Sequence, residues 1–304
     1  MHEHNHSENN KIGQNLLLTI ALNFGITFFQ IFAFFISGSL SLLSDALHNF
    51  SDVFALFVSW IADKISKKEN TIKATFGYKR SEVIAAFVNT VTLFVISVFL
   101  ITESIQRIIE NNQIFIDTNW IIWGALVSIV GNFLSVLVLH AQSKENLNVR
   151  ASYVHLLSDL FTSIAVLIGG LIMHYYQIIW IDALLSILIA IYLMVISIRL
   201  FGKTINILMQ FSPIEITQED IKEIVLHFPE VENIHHLHVW EITSGRTMLM
   251  AHMDFVKNID LKSANQIMIS VANILKKEYN IFEVTLQPEF DFEDDKSLIV
   301  KSSM

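Results

Sequence analysis

Six apolar stretches of about 20 residues or more, each long enough to cross a bilayer, fill the first two thirds of the chain. The composition agrees, with a mean hydropathy of +0.51. Only 16% of the residues are charged, against about 25% in a soluble domain. The sequence therefore predicts a bundle of six transmembrane helices, which we place at 15–37, 40–64, 81–108, 119–141, 148–173 and 178–204.

The loops between these spans differ in charge. Loops 38–39, 109–118 and 174–177 contain no Lys or Arg. The other two loops, with the helix ends beside them, carry Lys64, Lys67, Lys68, Lys73, Lys79, Arg80, Lys144 and Arg150. Because basic loops stay on the cytoplasmic side, we expect a multi-pass protein of the cytoplasmic membrane with both termini in the cytoplasm.

A polar, His-containing tail at 1–14 precedes the predicted transmembrane domain at 15–206. Its His2, Glu3 and His6 match the H-E-x-x-H pattern, but that motif needs a buried helix to aim both imidazoles at one zinc ion. A terminal polar tail does not supply one. We therefore expect either a loose metal-collecting tail or an inert one.

Two pairs of ionisable residues interrupt the apolar spans. Span two contains His48 and Asp52, and span five contains His155 and Asp159. A spacing of four places both members of a pair on one helix face. One pair alone could be an intrahelical hydrogen bond, but ionisable groups in a bilayer are costly and usually functional. Two imidazoles and two carboxylates also form a four-ligand set that suits zinc, so we predict a transition-metal site here.

The same four groups predict exchange of metal for protons, because both compete for the same atoms. Asp45 lies one turn before His48 and could orient the imidazole from outside the ligand set, accept a proton, or reach the outer mouth. Asp182, at the start of span six, is either an exposed helix-end residue or a functional one. Counted from the outer helix ends, the two pairs lie roughly 12–18 and 21–27 Å deep, so helix tilt or different boundaries would be needed to bring them together.

After Pro213 the composition becomes that of an acidic soluble domain, predicted at 213–292 and followed by a frayed tail at 293–304. The net charge of −9 comes mainly from this part and argues against nucleic acid as a partner. Thr217 and Asp220 resemble a capping box. The pattern predicts an α+β domain of order α-β-β-α-β. We place its helices at about 217–228 and 261–279 and its strands at about 231–242, 246–255 and 281–287.

Four histidines gather on the first two predicted strands of this domain: His235, His236, His238 and His252. Strand alternation would place His236 and His238 on one face and His235 on the other. The four therefore cannot all bind one ion without strain. Exposed strand histidines and a metal site formed by some of the four both remain open.

With its two H-x-x-x-D pairs in spans two and five, the chain resembles the cation diffusion facilitators of the zinc-transporting kind. Thr75-Phe76-Gly77-Tyr78-Lys79-Arg80, His238-Val239-Trp240 and Thr285-Leu286-Gln287-Pro288-Glu289 are similar to further family segments. The resemblance implies metal-for-proton antiport by alternating access and a homodimer. It also implies a ferredoxin-like cytoplasmic domain that binds regulatory zinc.

By resemblance, the two membrane pairs form the transport site, while His235 and His252 match cytoplasmic metal ligands. Some family members have metal ligands in the loop between spans two and three. This chain has Lys73, Ala74 and Tyr78 there, so we expect no metal site in that loop. Where many members have a third cytoplasmic histidine, this chain has Glu283, which we predict as a carboxylate ligand.

Three other functions are alternatives to zinc export. The same site could export mainly cadmium or cobalt. An intramembrane metalloenzyme would need an open coordination position and a general base, and four protein ligands leave no such position, so we expect no enzyme. A metal sensor would gain nothing from a proton-coupled site in the bilayer.

Overall fold

The computed structural model describes residues 3–110, 116–140, 147–213 and 216–300, without the side chains of 3–17, 147–149 and 151. Six long helices come first: α1 Glu3–Ser37, α2 Leu40–Ser66, α3 Ser81–Glu110, α4 Thr118–His140, α5 Leu147–Tyr176 and α6 Trp180–Leu208. The C-terminal elements follow: α7 Gln218–Leu226, β1 Val231–Glu241, β2 Thr247–Phe255, α8 Leu261–Tyr279 and β3 Ile281–Glu289. Apart from the start of α1, these bounds lie close to the predicted ones, and the predicted fold class is confirmed.

Five of the long helices are apolar enough over their length to cross a membrane: Leu18–Ser37, Ser81–Glu110, Thr118–His140, Ser152–Tyr176 and Trp180–Leu208. The sixth, α2, is as long but carries Asp45, His48, Asn49 and Asp52 in its first half. These polar residues lower its hydropathy. The one long helix that does not qualify as a membrane span by its hydropathy is therefore the one that contains half of the predicted metal site.

The first helix begins earlier than predicted. Its backbone is helical from Glu3, so residues 3–14 continue α1 and do not form a separate tail. Met1 and His2 lie outside the described residues, and so do the side chains of the predicted H-E-x-x-H match.

Small residues on α4 allow neighbouring helices to approach closely. A Cβ at Gly131 would lie 2.4 Å from Cδ1 of Ile26 on α1, and one at Gly124 would lie 2.7 Å from Cδ1 of Leu42 on α2. Glycine at such positions is common where membrane helices pack backbone to side chain. Because α4 packs against both α1 and α5, these contacts hold α2 and α5 in one bundle.

A carboxylate from α6 caps the first turn of α2. Asp182 is 1% exposed, and its Oδ2 accepts a hydrogen bond from the Leu40 backbone N–H at 2.6 Å. Its Oδ1 accepts from the Ser41 N–H at 3.1 Å and from the Ser39 and Ser41 hydroxyls at 2.5 Å each. A helix N-terminus has unpaired N–H groups and a positive dipole end, so a carboxylate there is stabilising. Asp182 is thus a buried cap and not an exposed helix-end residue.

Replacing this cap should destabilise the membrane bundle. Asp182→Asn keeps the shape but turns one acceptor into a donor that faces other donors. We expect a loss of about 2 kcal/mol from the missing cap and the unpaired buried groups. Thermal unfolding in detergent measures it, with the exposed Glu219→Gln as the control for the same chemical change. An unchanged melting temperature for Asp182→Asn would show that the cap does not stabilise α2.

The C-terminal unit is a three-stranded sheet of order β1-β2-β3, in which β1 and β2 are antiparallel and β2 and β3 parallel. Both helices pack on it and bury Ile221, Val225, Val271 and Leu275 in a shared apolar core. This is the predicted α-β-β-α-β arrangement. The predicted capping box is incomplete, because Thr217 is the N-cap residue of α7 but its side chain makes no capping hydrogen bond.

The segment after β3 is more ordered than predicted. Ser297 O accepts a hydrogen bond from the His236 N–H at 3.3 Å, and Leu298 O accepts one from the Leu237 N–H at 2.9 Å. The Leu298 side chain also packs against the apolar core. Residues 294–298 therefore dock along the free edge of β1, in place of the predicted frayed tail. Residues 301–304 lie outside the described part.

Candidate metal centres

The structure brings the two membrane pairs together. His48 and Asp52 project from α2, and His155 and Asp159 from α5, with ligand atoms that all lie within 4.8 Å of one another. His48 Nε2 lies 2.9 Å from Asp159 Oδ1. His155 Nε2 lies 3.0 Å from Asp52 Oδ2. The two pairs along each helix, His48 with Asp52 and His155 with Asp159, are 3.8 Å apart.

These separations suit a tetrahedral zinc ion. With zinc–ligand bonds of about 2.0 Å, neighbouring ligand atoms lie about 3.3 Å apart. The observed distances of 2.9–3.8 Å bracket that value. Asp159 Oδ2 is buried and has no hydrogen-bond partner in the described part of the chain, which leaves it free to bind a cation. The two remaining separations, between the histidines and between the aspartates, are at most 4.8 Å.

The cluster is more open on one side than on the other. The side chains of His48 and Asp159 are 5% and 1% exposed, whereas those of Asp52 and His155 are 29% and 46% exposed. Two of the four candidate ligands are therefore buried, and the other two are accessible from the surface of the bundle.

The difference in depth expected from the sequence does not keep the pairs apart. The helix α2 starts at Leu40 as predicted, and α5 ends at Tyr176, three residues beyond the prediction. These bounds do not close the gap. The inclination and offset of α2 and α5 must therefore bring His48 to the level of Asp159.

Asp45 joins four helices and does not orient the imidazole of His48. Its carboxylate accepts from Gln30 on α1 at 2.5 Å and lies 3.2–3.4 Å from the hydroxyls of Ser163 and Thr162 on α5 and Ser128 on α4. Where residues are described, it makes no hydrogen bond to His48, whose Nδ1 has no partner. The proposed orienting role therefore needs correction: Asp45 is a buried polar hub.

This hub reaches the metal cluster indirectly. The hydroxyls of Thr162 and Ser163 also lie 2.8 and 2.9 Å from the backbone O of Asp159. Asn49 donates to Gln30 at 2.9 Å, so the hub continues toward the neighbouring turn of α2. The network links the α2 and α5 backbones beside the cluster and thereby fixes the spacing of the two ligand pairs.

A second cluster lies in the C-terminal unit. It consists of His235, His252, Glu289 and Asp294, again with ligand atoms within 4.8 Å of one another. His235 Nε2 lies 3.0 Å from Asp294 Oδ2 and 3.3 Å from Glu289 Oε2. His252 Nδ1 lies 2.8 Å from Glu289 Oε1. The strand register pairs His235 with His252, which explains why their rings meet.

Glu283 is not part of this cluster. The register places it beside Met248, whereas His252 pairs with Gln287. The carboxylate comes from Glu289 at the end of β3, six positions further along. The sequence motif did include Glu289, but nothing in it indicated that the strand would end beside His235. Glu289 therefore takes the place of Glu283 in the candidate ligand set.

A bulge alters the predicted faces of the histidines. The β1–β2 register shifts between His235 and His238, and His236 has a φ of 52°. Its ring stacks on that of His252 at 4.8 Å and lies 5.0 Å from that of His238. The short distance between the rings of His236 and His238 fits their predicted common face. The contact of His236 with His252, the cross-strand partner of His235, was not predicted, because the left-handed residue turns the strand. Burial lowers the pKa of His238, and the neighbouring His236 and His252 lower it further.

The docked C-terminal segment brings two charged residues, Asp294 and Lys296, to the second cluster. Asp294 is the fourth member of the candidate ligand set. The hydrogen bond from Lys296 holds the pKa of the Asp294 carboxyl below its usual range. Burial opposes the charge of Lys296, but hydrogen bonds to Asp254 and Asp294 raise its pKa above the ordinary value. Neither residue could be found from strand or helix periodicity, because both follow the last strand.

Family models match almost the whole chain. The cation efflux transmembrane domain matches residues 16–209, and the cytoplasmic domain of cation efflux proteins matches residues 213–290. The chain belongs to the cation efflux family, that is, to the cation diffusion facilitators. This cation efflux protein is therefore a multi-pass membrane transporter of metal cations, and the resemblance inferred from its sequence motifs is confirmed.

Curated relatives cover the cation efflux protein from end to end. It is 31% identical to the zinc transporter ZitB of Pectobacterium atrosepticum, over 97% of this chain and 90% of that one. It is 30% identical to a cadmium, cobalt and zinc/H(+)-K(+) antiporter of Bacillus subtilis, over 98% and 95%. The identity to the zinc transporter ZitB of Escherichia coli is also 30%, over 95% and 92%.

Proposed function

We propose that this cation efflux protein exports Zn²⁺ from the cytosol in exchange for protons, and that His48, Asp52, His155 and Asp159 hold the ion. One observation carries the proposal. Two helices whose ligands are 103 or more residues apart in sequence bring two imidazoles and two carboxylates within 4.8 Å. Such a group inside a membrane bundle is costly unless it binds something.

The four ligands also account for the exchange. Zinc binds deprotonated imidazole and carboxylate, so each bound ion displaces protons and each proton displaces metal. The exposed pair, Asp52 and His155, offers these groups to an arriving ion. A site with this composition couples metal release to proton uptake without a further proton-carrying residue.

Zinc flux into proteoliposomes under an imposed proton gradient tests this function. We expect an acidic lumen to drive zinc uptake and an ionophore that collapses the gradient to stop it. Equal uptake with and without the gradient would contradict proton exchange. No uptake at all would contradict transport, and would favour a sensor or an enzyme that uses the same ligands.

The choice of zinc rests on ligand chemistry and on the relatives. Imidazole with carboxylate suits zinc, and the relative from Pectobacterium atrosepticum is named a zinc transporter. Cadmium and cobalt are the nearest alternatives, because they occur in the name of the Bacillus subtilis relative. Competition between the three metals in the same flux assay ranks them.

The setting of the site in the cell follows from the loops and the second domain. The basic loops favour the cytoplasmic membrane with both termini in the cytoplasm. The match of residues 213–290 to the family's cytoplasmic domain supports a homodimer joined through that domain. Export then runs from the side that carries the C-terminal unit to the outside.

The second cluster is proposed as a regulatory zinc site. His235 is fully buried, and its Nε2 lies 3.0 Å from Asp294 Oδ2 and 3.3 Å from Glu289 Oε2. Nδ1 of His252 has no aligned hydrogen bond among the described residues, although it lies only 2.8 Å from Glu289 Oε1. Two buried nitrogens and two carboxylates that face one point fit a cation shared between them. Zinc there would join β1, β2, the end of β3 and the C-terminal segment.

Removing one imidazole should weaken this control without stopping transport. We expect His252→Ala to lose one bound zinc per chain and to lower zinc flux several-fold. Metal content of the purified full chain and proteoliposome flux measure the two effects. His227→Ala removes an exposed histidine outside the cluster and serves as the control. Unchanged metal content in His252→Ala would remove the regulatory site and leave the membrane site untouched.

A further inference from the structure

Lys296 contacts three carboxylates at the edge of the second cluster. Its Nζ lies 2.6 Å from Asp294 Oδ1, 2.8 Å from Asp254 Oδ1 and 3.4 Å from Glu289 Oε2. Two of these residues, Asp294 and Glu289, belong to the candidate ligand set. Asp254 is buried on β2 and is not a member of this set. A single ammonium thus holds together the acidic groups that surround His235.

Each of the two aspartates has one carboxylate oxygen beside Lys296 and the other beside His235. Asp254 Oδ1 contacts Lys296 Nζ, and Asp254 Oδ2 lies 3.1 Å from His235 Nδ1. Asp294 gives Oδ1 to Lys296 and places Oδ2 3.0 Å from His235 Nε2. The lysine therefore leaves one oxygen of each aspartate facing the imidazole, one on either side of the ring.

This division has a direct consequence for metal binding. Asp254 Oδ2 and Nδ1 of His235 are close but do not form an aligned hydrogen bond. The charge of Asp254 nevertheless favours a proton on the adjacent Nδ1, which leaves Nε2 for the metal. Nε2 of His235 is the nitrogen that faces Asp294 and Glu289. Without the ammonium, Asp254 and Asp294 would repel each other across the ring, and the segment that carries Asp294 would lose its charged anchor.

We propose that Lys296 is a positioning residue for the second metal site: it clamps the C-terminal segment so that Asp294 becomes a zinc ligand and Asp254 orients His235. The inference rests on the proposed regulatory site. The backbone contacts of residues 297–298 with β1 continue the same clamp. Zinc binding and docking of residues 294–298 are therefore coupled.

If Lys296 competed with the metal instead of positioning its ligands, its removal would change the zinc affinity in the opposite direction. If the ammonium only competed with the metal for carboxylates, its removal would tighten zinc binding. If it positions the ligands, its removal weakens zinc binding, because groups that orient metal ligands typically contribute about 10–100-fold in affinity. The sign of the change in affinity therefore separates the two roles.

The test uses the full chain in detergent, with the membrane site silenced by Asp52→Ala and Asp159→Ala. Zinc affinity is measured by competition with a chromophoric chelator. We expect Lys296→Met to weaken binding at least tenfold and Lys296→Arg to restore most of it, because guanidinium can bridge two carboxylates. Lys257→Met, at an exposed position outside the cluster, is the control and should leave the affinity unchanged.

The effect of zinc on the hydrogen exchange of one amide distinguishes a positioning role of Lys296 from a purely structural one. The Leu237 amide donates to Leu298 O, so zinc should slow its exchange in the parent chain and not in Lys296→Met. Unchanged or tighter zinc binding in Lys296→Met, beside normal binding in the parent, would overturn the role of Lys296 alone. No zinc bound by the parent at this site would overturn the regulatory site and this inference together.

Discussion

His48→Ala and Asp159→Ala are each expected to lower zinc flux by roughly 100-fold or more, since even residues that only support a metal ligand contribute about 10–100-fold. These two side chains form the buried half of the cluster, 2.9 Å apart. Removing either one takes away the nearest partner of the other and leaves the zinc ion with three ligands. Proteoliposome flux measures the loss, and the unfolding temperature in detergent shows that the protein remains folded.

Ser158→Ala is the matched control for this experiment. Ser158 neighbours Asp159 on α5, but its hydroxyl bonds to the backbone O of Val154 in its own helix. Its replacement should leave zinc flux nearly unchanged. Near-normal flux in both His48→Ala and Asp159→Ala would refute the transport site.

A second large effect is expected in metal selectivity. His48→Asp replaces one of two imidazoles by a carboxylate, which gives three carboxylates and one imidazole. Oxygen ligands suit manganese better than zinc, so we expect the preference for zinc over manganese to fall about tenfold, or about 1.4 kcal/mol. Competition between zinc, cadmium and manganese in the flux assay measures the change.

The reverse exchange tests the direction of this effect. Asp52→His gives three imidazoles and one carboxylate at the same cluster and should shift the preference further from manganese. If both variants kept the parental preference, selectivity would be determined by helix geometry elsewhere and not by the ligand types.

Much of the fold could be predicted because it follows from local patterns. Long apolar runs located the membrane helices, and period-two alternation located β1 and β2 within a few residues. The pairs His48 with Asp52 and His155 with Asp159 were visible because ionisable residues stand out against apolar neighbours. Their meeting across α2 and α5 was not visible, since it depends on how far each helix is inclined and offset.

The second cluster was harder to predict for three physical reasons. The bulge at His236 breaks the alternation on which the predicted faces depended. Strand register, and not sequence proximity, selects Glu289 in place of Glu283. The contributions of Asp294 and Lys296 come from a segment without regular structure, whose docking depends on Leu298 and on two backbone hydrogen bonds.

X-ray absorption spectroscopy of zinc bound to the full chain, with the second cluster silenced by His252→Ala, tests the central claim most directly. The transport site predicts one zinc ion per chain with four nitrogen or oxygen neighbours at about 2.0–2.1 Å and the scattering of two imidazoles. Both imidazole contributions should be absent when His48 and His155 are also replaced. A six-coordinate ion surrounded only by oxygen, unchanged by those replacements, would contradict the site.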